Sequence, residues 1–208
     1  MRSNDARHVC AYLRVWYETE VIPSLSEDGH LPPGRYRCTL PEFADRFVHS
    51  REFDSSTTRR KLFDSLLRYL VEWQLLIDGA DDADDLLKSV WIAGSYASGK
   101  LDPADIDVSP VVNGVVAERV RTKGLKRLTQ DRGSIKRRFD VEVFPIEWRP
   151  VPGIFSAGGL RAVDAAYFEV RGKMDDFWQR CRLDDAVREA PTVEECETRR
   201  GYLEVMIP

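Results

Sequence analysis

Asp105-Ile106-Asp107 sets two carboxylates two residues apart. On a β-strand that spacing sends both from one face and turns Ile106 and Val108 to the other. Side-by-side carboxylates repel unless a cation neutralises them. Mg²⁺ or Mn²⁺ takes hard oxygen ligands and shares its shell with substrate phosphates. The pair therefore points to metal-assisted transfer at a phosphorus centre. Neutralising either aspartate is expected to relieve repulsion without cost to the apo fold. A third carboxylate is expected from Phe139–Phe144, where Asp140 and Glu142 again share a face; the pattern does not choose between them. Upstream, Gly94-Ser95 ends an apolar run. Glycine there allows the backbone to approach a phosphate closely, and the Ser95 hydroxyl can bind its oxygens. Lys100 is a further candidate for a triphosphate.

The same stretch spells a competing motif. Gly94 to Lys100 reads G-x-x-x-x-G-K, a P-loop without its final hydroxyl. A working P-loop needs a Ser or Thr on Mg²⁺ and a helix starting at that point. Here Leu101 holds the hydroxyl position, Pro103 follows, and Asp105–Val108 alternates as a strand. The P-loop reading fails on both counts.

The elements that must position these residues can be read outward. "SVWIAGS" predicts a short buried strand ending in a turn, "DIDVSPVV" a second strand and "RFDVEVFPI" (138–146) a third. Residues 114–138 read as helix and loop. "SSTTRRKLFDSLLRYLVEWQLLI" is the clearest helix. It has hydroxyl caps, Leu62, Leu66, Leu70, Trp73 and Ile77 on its apolar side, and Arg59, Arg60, Asp64, Arg68 and Glu72 on the other. The acidic run Asp81–Asp85 reads as a solvated turn and helix start. "CTLPEFADRFV" (38–48) predicts a short helix capped by Thr39, with Pro41 in its first turn. Residues 5–20 predict another short helix, and 26–36 are turn-rich. Residues 151–159 form a Pro/Gly break, 163–181 a helix despite Gly172, and "RRGYLEVMIP" a final strand. Helices and strands mix without regular βαβ alternation, so the expected class is α+β, a mixed α/β fold with a small mixed sheet flanked by helices.

At 208 residues and 43% hydrophobic content, the chain can bury one sizeable core. The expected organisation is a single domain over 1–208, with an N-terminal flank (1–55), a core (56–150) and a C-terminal helical and strand extension (151–208). Cys10, Cys38, Cys181 and Cys196 form no C-x-x-C pair and do not cluster with histidine, which argues against zinc. No apolar run reaches the length of a membrane span, and the N-terminus lacks a signal-peptide core, so a cytoplasmic location is expected. The net charge of −4 says little, but its distribution is uneven. From Arg119 to Arg138 there are nine basic residues and one acid, Asp131. The run lies between the two acidic strands. It can serve as a solvated helix face, or as a cationic rim for a triphosphate, an RNA or an acidic protein partner.

"GSYASGKLDPADIDV" resembles the core motif of the DNA polymerase β-type nucleotidyltransferase superfamily, especially its small bacterial members. The wider pattern, "LPPGRYRCTLPEFADRFV", an arginine-containing helix, "VEVFPI" and a closing "RRGYLEV", is similar to an uncharacterised bacterial family with that core. The resemblance covers roughly residues 22–208. It implies that Asp105, Asp107 and Glu142 (or Asp140) hold Mg²⁺ or Mn²⁺. It also implies that Gly94 and Ser95 position the phosphates of a nucleoside triphosphate. The implied activity transfers a nucleoside monophosphate to a hydroxyl acceptor, which the resemblance leaves open between protein, RNA and small molecule. Ala104 stands where members commonly carry Ser or Asn. The second reading is thus a binding module that keeps the fold without turnover, such as an antitoxin or regulatory partner of a toxin.

Overall fold

The computed structural model describes residues 22–120, 122–151, 160–181 and 199–207. The helix expected over 5–20, Cys10, Cys196, Arg121 and most of the Pro/Gly break lie outside them. In chain order the elements are β1 (Gly34–Thr39), α1 (Leu40–Phe47), a 3₁₀ turn (Arg51–Phe53), α2 (Arg59–Asp78), β2 (Leu87–Ala93), β3 (Ile106–Asn113), α3 (Gly114–Val120), α4 (Lys123–Thr129), α5 (Arg132–Phe139), β4 (Val141–Val143), β5 (Ile146–Trp148), α6 (Ala162–Trp178) and β6 (Gly201–Met206). The class is mixed α+β.

The six strands make one open mixed sheet in the order β1-β6-β2-β3-β4, with β5 also on β3. β2 is antiparallel to both neighbours, β6 and β3, whereas β1 runs parallel to β6 and both β4 and β5 run parallel to β3. β4 pairs with Ile106–Val108 and β5 with Val111–Asn113. Pro110 has no N–H to donate, and it falls between those two pairings.

Strand alternation separates two cores. Val90, Ile92, Ile106 and Val108 pack under α1, α2 and α5 with Phe43, Phe47, Leu66, Tyr69, Trp73, Ile135 and Phe139. Trp91, Ala93, Val111 and Tyr202 face the other way, against Tyr167 and Trp178 of α6. Asp105, Asp107 and Ser109 share this second face with Val111. α6 covers it as far as Ser109, whose Oγ accepts from Trp178 Nε1 at 2.9 Å. The carboxylates begin where that cover ends.

Several expectations are corrected. The segment 138–146 is not one strand: α5 continues to Phe139, Asp140 turns left-handed at φ 53°, and only then does β4 begin. The acidic run ends in a turn that feeds β2, not a helix. Asp85 accepts from Lys88 and Asn113, both at 2.8 Å, which ties it to β2 and the end of β3. Residues 34–36 open β1 instead of extending the turn. At α2 the cap is Ser56, whose Oγ accepts from Thr58 N and Arg59 N; Thr58 makes no side-chain cap. The short helix at 40–47 keeps its expected start, with Thr39 and Glu42 forming a reciprocal capping box. No helix among the described residues is long and apolar enough to cross a membrane.

Candidate functional site

The carboxylates gather at the N-terminal end of β3. Asp107 lies opposite Ala93 of β2 on one side and Glu142 of β4 on the other. Beyond Ala93 the chain turns through Gly94 at φ +69°. The Asp107 carboxylate lies directly over this glycine: a Cβ built on Gly94 would come within 1.9 Å of Asp107 Oδ2. Glycine is therefore required twice, for the left-handed backbone and for the room the carboxylate fills. Burial, reinforced by the charges of Asp105 and Glu142, pushes the Asp107 pKa up to about 7.

Lys136, in the last turn of α5, supplies the local counter-charge. Its Nζ lies 2.9 Å from Asp105 Oδ2 and 2.8 Å from Glu142 Oε2. The hydrogen bonds it donates to Glu142 and Asp105 hold the ammonium in its charged form well above the usual lysine range. The bridge means that neutralising Asp105 breaks an ion pair as well as relieving repulsion. The two aspartates are therefore not equivalent: Asp105 shares the Lys136 ammonium, whereas Asp107 is part-buried against Gly94.

The loop from Gly94 to Asp102 is fastened to the first residue of α2 and to the two residues Ser56 and Thr57 just before that helix. Arg59 is 1% exposed. Its guanidinium donates to the carbonyls of Phe47 (3.1 Å), Tyr96 (2.9 Å), Ser98 (2.6 Å) and Lys100 (2.6 Å). It also stacks over the Phe53 ring at 3.7 Å. Burial draws its pKa down to about 10. Tyr96 answers by donating its hydroxyl to the Arg59 carbonyl at 2.8 Å. At the far end Asp102 Oδ1 accepts from Thr57 N at 2.7 Å and from the Ser56 and Thr57 hydroxyls at 3.1 Å. Gly99 N donates to Gly29 O at 2.7 Å, tying in the turn before β1.

The expected site residues therefore separate into two groups. Asp105, Asp107, Glu142 and Gly94 come together, and Ser95 follows Gly94 in the same turn. Ser95 gives its carbonyl to the Ser98 hydroxyl at 2.7 Å and keeps a partly exposed side chain. Lys100 is exposed, and its carbonyl is held by Arg59. Asp140 is separated from the cluster. Its left-handed backbone breaks the strand alternation that would have aligned it with Glu142, and its carboxylate faces Lys61 at 3.8 Å. No helix starts at Lys100-Leu101; the chain bends there and enters β3, as the failed P-loop spacing requires.

Residues 23–206 match DUF6932, a family of unknown function. The chain belongs to that family. No curated protein and no solved structure matches it. The DUF6932 match runs from before β1 through the last residue of β6, so it contains every strand and every residue of the carboxylate cluster.

The donor set within this DUF6932 core is three carboxylates with neither thiol nor imidazole, the chemistry of a hard divalent cation. Gly94 clears the room that one carboxylate occupies, and an ammonium already bridges the other two. Among the described residues no group of three or more His, Cys, Asp or Glu side chains is arranged to hold a metal ion as it stands. Two of the carboxylates flank the Lys136 ammonium, and a metal drawing on both would have to displace it. A cavity of about 600 Å³ lined by Val112, Ala117, Leu125 and Ile146 lies at the opposite end of β3, away from this chemistry.

Sequence reasoning missed two residues here. The sequence pattern puts Arg59 on the face of α2 opposite its apolar side, and arginine is rarely buried, so nothing local marks it as a core residue. Its signal was the set of carbonyls that a turn-rich loop leaves without strand partners. Lys136 was seen only as one charge in a basic run.

Proposed function

We propose that this chain is a Mg²⁺-dependent nucleotidyltransferase that moves a nucleoside monophosphate from a nucleoside triphosphate to a hydroxyl acceptor. The observation that carries the reading is the seat of Asp107 on Gly94, with Asp105 and Glu142 beside it. That arrangement supports the reading because three carboxylates, which are hard-oxygen donors, lie near a glycine turn with Ser95 next to it. Asp105, Asp107 and Glu142 would hold the metal, which when bound neutralises the phosphates and polarises the reacting oxygens. The acceptor oxygen forms a bond to the α-phosphorus as the bond from that phosphorus to the bridging oxygen of pyrophosphate breaks. The acceptor proton passes to the carboxylate cluster. Gly94 N–H and Ser95 Oγ orient the phosphates, and Arg59 keeps their loop in place.

The Lys136 bridge favours a second reading: a binding module in which the lysine permanently replaces the metal. One assay separates the two. Incubation with each of the four ribonucleoside triphosphates, Mg²⁺ and cell extract as acceptor source should release pyrophosphate in the unaltered chain and not in Asp107→Asn. Triphosphate binding by calorimetry with no metal dependence, and no pyrophosphate release above the variant, would support the binding module instead.

A further inference from the structure

We propose that Lys136 and a divalent cation are alternative occupants of the space between Asp105 and Glu142. The displaced lysine then becomes a ligand for the incoming polyphosphate. The inference rests on the metal reading above and adds to it the order of events.

The geometry is specific. One ammonium makes two contacts of 2.9 and 2.8 Å to carboxylates that come from different elements, the approach to β3 and β4. Lys136 itself sits on a third element, α5. Asp105 and Glu142 are thus held together by a side chain that belongs to neither strand. The remaining carboxylate, Asp107, is part-buried and has Gly94 against it. A cation held by all three carboxylates draws on Asp105 and Glu142, of which Oδ2 and Oε2 already accept from Lys136. A divalent ion and an ammonium in contact with the same two carboxylates repel each other, so binding of one lowers affinity for the other by the same factor.

The lysine is suited to leave. Its side chain is 51% exposed, and an ammonium on a flexible stem exchanges partners easily. After release it remains tethered beside the carboxylates as a positive charge with no partner there. A metal-bound triphosphate brings three or more negative charges to that place. The lysine has an anion to meet only when metal and nucleotide arrive together. That coupling keeps the site neutralised without substrate and charged correctly with it.

Calorimetry with Mn²⁺ alone, and with Mn²⁺ plus the non-cleavable triphosphate α,β-methylene-ATP, tests the proposal in the unaltered chain, Lys136→Met and Lys136→Arg. Lys136→Met should bind Mn²⁺ about tenfold more tightly and Mn²⁺-triphosphate about tenfold more weakly. Lys136→Arg should stay near the unaltered values in both. In the unaltered chain, acylation of Lys136 read by peptide mass spectrometry should rise on adding Mn²⁺ and fall again with the triphosphate, a readout independent of any variant's folding. An unchanged Mn²⁺ affinity in Lys136→Met, a triphosphate affinity that does not fall, or acylation insensitive to Mn²⁺ would overturn it. Failure of the underlying metal reading looks different: neither the unaltered chain nor Lys136→Met would bind Mn²⁺ at all.

Discussion

At the residue scale, the cluster divides its charges unequally. Asp105 and Glu142 share one ammonium, while Asp107 carries the burial. The pH dependence follows from that division. Unfolded, Asp107 titrates near the ordinary aspartate value of about 3.9. Folded, its pKa is pushed up to about 7. Between those values the folded chain holds a proton that the unfolded chain has lost, so stability falls as pH rises through that window and is lowest above it. Asp107→Asn removes the effect. The apo variant should be more stable than the unaltered chain at pH 8, by about 1 to 4 kcal/mol from the linkage relation. The difference should close near pH 4. Asp105→Asn should behave differently, because it also breaks the half-exposed ion pair with Lys136, worth about 0.2–1 kcal/mol. Urea midpoints at pH 8 and pH 4.5 decide both. A less stable Asp107→Asn at pH 8 would show that its carboxylate is a structural contact and not a strained ligand.

At the scale of elements, the glycine turn works because α2 grips it. Arg59→Lys keeps the charge but has no planar fork to reach four carbonyls. It leaves buried acceptors unpaired, at about 1–3 kcal/mol each in the least compensated case. The expected result is a loss of several kcal/mol in urea and faster amide exchange confined first to residues 94–102. Exchange that rises equally across β2 and the loop would show Arg59 to be a general core residue. Gly94→Ala should cost about 1–2 kcal/mol from its left-handed backbone alone. It should also displace Asp107, so metal-dependent triphosphate binding should vanish while the fold survives; retained binding would break the link between that glycine and the carboxylate. The sequence showed those elements whose signals are local. α1 has its cap and proline, α2 its apolar period, β2 and β3 their buried runs, and β6 its closing apolar alternation. It did not show β1, because Arg35 and Arg37 make that strand look solvated until Glu204 of β6 is placed 3.6 and 3.5 Å from them. It could not separate α5 from β4, since one left-handed residue, Asp140, switches the backbone. In the site, Asp105-x-Asp107 was legible because strand spacing alone sets its face. The choice of Glu142 over Asp140 needed the helix end, and the roles of Arg59 and Lys136 needed tertiary neighbours.

At the scale of the whole molecule, the last strand of the chain is not at an edge. β6 lies between β1 and β2, pairing Gly201–Met206 with Gly34–Thr39 on one side and Leu203–Met206 with Ser89–Ile92 on the other. The sheet thus draws strands from the first, middle and last parts of the sequence. The site depends on that closure through β2, because Ala93 and Gly94 continue a strand whose other neighbour is β6. Val205 and Leu203 are fully buried in the core beneath it, and Glu204 accepts from Ser89 Oγ at 3.1 Å on the opposite face. Removing residues 199–208 would strip hydrogen-bond partners from two strands at once and open both cores. The shortened chain should lose its cooperative thermal transition and its near-ultraviolet circular dichroism, not merely melt a few degrees lower. Contacts this distant in sequence also close slowly, since their loop entropy must be met before they form. Refolding of the intact chain should therefore show recovery of Trp91 fluorescence, whose ring packs on Tyr202 at 5.1 Å, in step with recovery of triphosphate binding. A truncated chain that melts cooperatively and still binds Mn²⁺ would show that β2–β4 form the site without the C-terminal strand.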